Sequence, residues 1–93
     1  MSAISGQKAV AAAGTAEALG TQNIHGPLMV KALDANTSYM YIGNDGAGDV
    51  TSANGLELAP GDVVVFDHVG SQANVFLDSA VNGEGVAWMM LNV

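Results

Sequence analysis

The sequence predicts an all-β fold, a small antiparallel β-sandwich or barrel with an extended N-terminal arm. Three observations predict it. Twelve glycines among 93 residues stand as punctuation between short apolar runs, and short runs separated by turn signals mark sandwiches and barrels. No long segment keeps a 3.6-residue apolar period between helix caps, so little helix is expected. Val63 to Phe66 and Gly85 to Val93 are β-prone and apolar on both faces, the pattern of strands covered on two sides.

The elements follow in order. Residues 1–14 are expected to form an N-terminal arm or first edge strand, with a strand near Ala9 to Ala12; residues 15–93 are expected to form a single β domain. In "PLMVKAL", Leu28, Val30 and Ala32 alternate against Met29, Lys31 and Leu33, as a strand requires. "NTSYMYIG" gathers Tyr39, Met40, Tyr41 and Ile42 into a second strand over 38–43. The turn chemistry of Asp34 to Thr37 between them predicts a hairpin of 28–33 with 38–43. Asn54-Gly55 and Pro60-Gly61 are strong turn signals. Val63 to Phe66 is expected at a central or interface position, "NVFLDS" (74–79) as a further strand, and 85–93 as the last.

A chain of this length buries only roughly 60–65 % of its unfolded surface, and it has no cysteine to staple the fold. Such a domain gains stability from a partner or from copies of itself. The doubly apolar last strand points the same way, because one of its faces fills the core and the other needs a cover. The residues expected at contacts with copies or partners are Val10, Phe66, Trp88, Met89, Met90 and Leu91. Nucleic acid is not expected as a partner: Lys8 and Lys31 are the only basic residues beside nine carboxylates, for a net charge of -7, so counterion release from a phosphate backbone has almost no source. An anionic membrane surface is excluded on the same ground. No run approaches the roughly 18 apolar residues of a membrane span. Ala9 to Ala13 is too short for a signal-peptide core, so the chain is expected to be made in the cytoplasm.

Little else resembles chemistry. The loop "NDGAGDVTSANG", 44–55, is rich in oxygen ligands. Neither Asn44 nor Asp45 starts a helix-flanked calcium register, since the twelfth positions are Gly55 and Leu56 rather than Glu. It also lacks the Lys and following helix of a phosphate loop. His25 and His68 are too few for a zinc site without Cys. Glu57 with Asp62, about the Pro60-Gly61 turn, is the one local carboxylate pair, and solvated turn residues explain it. No catalytic residue, metal or cofactor is assigned.

One stretch carries a resemblance. Asn36, Thr37, Tyr41, Ile42, Gly43, Val50, Thr51, Asn54, Gly55, Leu58, Pro60, Gly61 and Asp62, followed by a terminal strand after Gly83-Glu84-Gly85, match a recurring line in small virion-associated proteins of tailed bacteriophages. The chain resembles that group over about residues 14 to 93. The resemblance implies a β-sandwich or barrel acting as a non-enzymatic structural part of the particle. Head decoration (cement) proteins fit best within the group. It further implies the major capsid protein as partner, a homo-oligomer, and a place on the outer surface of the phage head. A neck, tail or fibre-base component is the alternative, and a small carbohydrate-binding module using Tyr39, Tyr41 and Trp88 is a third reading. The arm, Ser2 to Gly14, is expected to lie across a neighbour.

Overall fold

The computed structural model describes residues 4–91. Eight strands pair entirely antiparallel: β1 (Ser5–Ala9), β2 (Glu17–Ala18), β3 (Leu28–Ala32), β4 (Met40–Gly43), β5 (Leu56–Leu58), β6 (Val63–Phe66), β7 (Phe76–Ser79) and β8 (Gly85–Met90). They form two four-stranded sheets. Sheet A runs β1-β8-β3-β6 and sheet B runs β2-β7-β4-β5.

The pairing has a simple origin. β1 meets β8, β2 meets β7, β3 meets β6 and β4 meets β5, as in one long antiparallel ribbon folded at its middle. Rolling that ribbon adds the β3–β8 and β4–β7 pairs. The result is the strand order of a jelly roll. The expected all-β sandwich is therefore present.

Alternation sorts the side chains. Leu28, Val30 and Ala32 of β3 point inward with Val86, Trp88 and Met90 of β8, and face Met40, Ile42 and Leu77 of sheet B across one core. Val64 and Phe66 close that core from β6.

Three expectations are corrected. The predicted 28–33/38–43 hairpin does not form, because β3 lies in sheet A and β4 in sheet B. The link between them crosses from one sheet to the other. Asn36, buried within it, holds it to β8: its Nδ2 donates to the Gly85 carbonyl (2.8 Å) and its Oδ1 accepts from the Gly85 N–H (3.2 Å). β6, expected at a central or interface position, lies at the edge of sheet A, so the central alternative is excluded. Asn54-Gly55 is not a left-handed hairpin turn, since no non-glycine residue among those described has positive φ. Gly55 serves a different need: a Cβ there would lie 2.9 Å from Tyr41 Cβ. Pro60-Gly61 does form the expected turn, with Gly61 at φ +89 and the Asp62 N–H donating to the Ala59 carbonyl at 2.9 Å.

The N-terminal segment takes the edge-strand alternative. Its strand is Ser5–Ala9 rather than 9–12, and its first three residues lie outside those described. The following residues are bonded into the domain, with the Val10 N–H donating to the Glu84 carbonyl, Ala13 N–H to Asn82 Oδ1 and Gly14 N–H to Asp78 Oδ1. Val10 itself is fully buried. Residues 5–14 are therefore part of the sandwich, and removing them would strip an edge strand and a core side chain instead of a dispensable arm. The predicted last strand ends at Met90; residues 92–93 lie outside those described.

Candidate interaction surface

The two sheets differ on their outer sides. On sheet B, Tyr41 and Asp78 stand opposite one another in register and point away from the core, yet they are only 7 % and 4 % exposed. Two connections cover them. Asp78 Oδ1 accepts from the Gly14 N–H at 3.0 Å, and the 49–55 segment closes over Tyr41 through Gly55. The loop 44–55 is built to hold that cover. Asp49 Oδ1 accepts from the Asp45 N–H (2.7 Å), both Asp49 oxygens accept from the Asn44 N–H, and Thr51 Oγ1 accepts from Ala53 and Asn54. These carboxylate and hydroxyl oxygens satisfy the loop's own backbone donors.

Sheet A has no such dressing. Its outward residues form two rows in register: Ser5, Met89, Met29 and Val65, then Gln7, Ala87, Lys31 and Val63. Val63, Val65, Met89 and Leu91 remain 48, 51, 39 and 47 % exposed. A shallow groove of about 360 Å³ runs between Gln7, Met29, Lys31, Ala87 and Met89. Charge is segregated with it. None of the nine carboxylates lies in β1, β3, β6 or β8, whereas both lysines do. In a chain of net charge -7, the outer side of sheet A carries Met29, Met89, Val63 and Val65 beside Ser5, Gln7 and Lys31, with no carboxylate in its strands; Lys31 pairs with Asp34 of the following turn at 3.5 Å. Large exposed apolar patches rimmed by polar residues mark interaction sites.

Of the six residues expected at contacts, the structure divides the set. Val10, Trp88 and Met90 are 0, 8 and 5 % exposed and pack inside the chain's own core, so they are unavailable to a partner. Phe66 is half-buried against that core. Met89 and Leu91 are exposed. Exposed Val63 and Val65 and half-buried Met29 lie on the same face; Val63 and Val65 belong to the run expected at a central or interface position, and none of the three is among the six. The signal was present: the alternation of "PLMVKAL" and "VVVF" puts Met29, Val63 and Val65 opposite the core-facing residues.

Other candidates do not converge. Among the described residues no three His, Asp or Glu side chains come together as a metal cage. A cleft of about 520 Å³ at one end of the sandwich is lined by Ile42, Phe66, Asp49, His68 and Asn74, but Asp49 is bonded to the loop and Asn74 Nδ2 donates to the Val69 carbonyl. Of the three aromatic residues expected to stack a sugar, Tyr41 and Trp88 are buried and only Tyr39 is exposed. Asp62 Oδ2 accepts from the Ala59 N–H at 2.9 Å, a turn role that leaves Glu57 alone on β5.

Glu84 bridges two parts of the chain. It accepts from Thr37 Oγ1 and the Thr37 N–H, both at 2.7 Å, and from the Ser38 N–H at 3.2 Å. Those bonds, the Thr37 hydroxyl first, hold its carboxyl below the ordinary value of 4.5. The Lys8 ammonium, 3.0 Å away, does the same for Glu17, aided by the Ala11 N–H. A carboxyl whose folded pKa is depressed adds stability above its unfolded pKa and loses it as pH falls through the folded value. Stability conferred by Glu84 and Glu17 should therefore be present at neutral pH and decline below about 4.5. Urea midpoints of wild type and Glu84→Gln over that range should converge on acidification. A constant gap between them would contradict the role given to the Thr37–Glu84 bonds.

No family model, curated protein or solved structure matches the chain.

Proposed function

We propose that the chain is a non-enzymatic structural protein of a tailed-phage virion. Its role is capsid decoration: it docks on the outside of the head through the outer face of sheet A and bridges neighbouring major capsid subunits. The observation that carries this reading is the uncovered apolar patch of Met29, Met89, Val63 and Val65, on strands that hold no carboxylate, set against Tyr41 and Asp78 on the outer side of sheet B, which the chain covers itself. Clamping needs no reacting group. It needs buried area spread across two neighbours, with a few apolar anchors at its centre.

The resemblance supports the reading at residue level. Two of its segments, far apart in sequence, meet in the fold. Asn36 clamps Gly85, and Thr37 binds Glu84. The recurring Asn-Thr and the turn before the terminal strand, here Gly83-Glu84-Gly85, are thus two halves of one structural joint. Jelly rolls also occur in viral capsid domains, an analogy of fold that by itself assigns no function.

Copy number tests the proposal. Quantitative mass spectrometry of purified virions should find this chain at a ratio to the major capsid protein near one to one. A handful of copies per particle would move it to the neck, tail or fibre base, and absence from the particle would overturn the virion reading.

A further inference from the structure

We infer that β6 is a pairing edge and that its occupant is β6 of a second copy, giving a two-fold dimer whose sheet A runs continuously through both chains. The inference does not depend on the virion reading.

The four sheet edges are not equivalent. Exposed edges invite strand addition unless they are short, charged, bulged or interrupted. β2 has two residues, and β5 has three with Glu57 at the centre. β1 carries Gly6 and Lys8, the latter held against Glu17 at 3.0 Å. β6 alone has none of these protections: Val63, Val64, Val65 and Phe66 are all β-prone and uncharged.

Its backbone is poised for a partner. Ala32 donates to the Asp62 carbonyl and accepts from the Gly61 N–H, so Ala32 turns its main chain towards β6. Antiparallel alternation then gives the bonded pairs Val30 with Val64 and Leu28 with Phe66. The N–H and C=O groups of Val63 and Val65 therefore face outward along the edge.

Self-complementarity selects the occupant. An antiparallel match centred on Val64 sets Val63 opposite Val65 of the second copy, twice, and closes four main-chain bonds. Asp62 falls opposite Phe66, and Asp67 opposite Gly61, so no carboxylate meets a carboxylate. Because Val63 and Val65 are outward-facing, the same register keeps the two apolar outer faces on one side of the joined sheet. The contact is one strand wide, which places the dimer among concentration-dependent assemblies.

Sedimentation velocity of the full chain over a dilution series tests this. The expected result is a species of twice the 9.4 kDa chain mass that dissociates on dilution. Hydrogen exchange should show the Val63 and Val65 amides protected only where the dimer is populated. Val65→Pro removes an N–H that the fold itself does not use, and edge strands accept such a proline. Val63→Lys adds an edge charge. Both variants should keep the wild-type far-ultraviolet circular dichroism and sediment as monomers. A monomer at every concentration would overturn the inference. So would a dimer that survives both substitutions, or protection on Ser5, Gln7 and Ala9, which would indicate head-to-tail pairing through β1.

Discussion

Trp88→Ala should lose about 3–5 kcal/mol of stability, the cost of deleting a large buried aromatic. Domains of this kind are stable by only roughly 5–15 kcal/mol, so the variant should sit near its unfolding threshold. The reason is positional. Trp88 stands in the middle of β8, between Gly6 of β1 and Val30 of β3, and is 8 % exposed. A Cβ on Gly6 would lie 3.0 Å from the indole ring, so the indole occupies the space that a β1 side chain would otherwise fill. With the ring gone, glycine cannot repack the cavity. Urea denaturation measures the loss. A change under about 1 kcal/mol would mean that Trp88 is not the keystone between β1 and β3 that its burial implies.

Met29→Glu and Met89→Glu should abolish attachment to the particle while leaving the fold intact. The two methionines face one another in register at the centre of the outer face of sheet A. Introducing a carboxylate there would bury an unpaired charge in the docked state. Truncating a central anchor costs about 2 kcal/mol or more, and a buried charge adds to that, so affinity should fall by at least roughly thirtyfold. Val81→Glu, exposed in the turn before β8, is the control and should bind as wild type. Co-sedimentation with undecorated heads reads both. Equal binding by all three variants would remove the outer face of sheet A from the contact.

The fold class was legible because glycine punctuation and two-residue alternation are local signals, and β3, β4, β6, β7 and β8 announced themselves this way. Their partners did not. The Asp34 to Ser38 link resembles a hairpin turn in its residues, but it spans between sheets, and only the distant Gly85 that Asn36 grips reveals this. β1 was misplaced because "SGQKA" is polar and its strand character comes from pairing with β8, which overrides local propensity. β2 is two residues long and has no sequence pattern to read. The candidate surface was half legible. Two-faced apolarity in β8 signalled a covered outer side, but which residues point out depends on strand phase, and a one-residue change of phase exchanges Met89 for Met90 and Trp88. The loop 44–55 looked like a ligand site because oxygen-rich side chains serve metals and turns alike; its acceptors proved to face its own backbone.

Cryo-electron microscopy of heads carrying the chain would test the central claim most directly. The proposal predicts density for the sandwich on the outer capsid surface, with Met29, Met89 and Val65 buried against capsid subunits and the 44–55 loop facing solvent. A sandwich seated through sheet B or through the 44–55 loop, with the apolar rows of sheet A open to water, would contradict it.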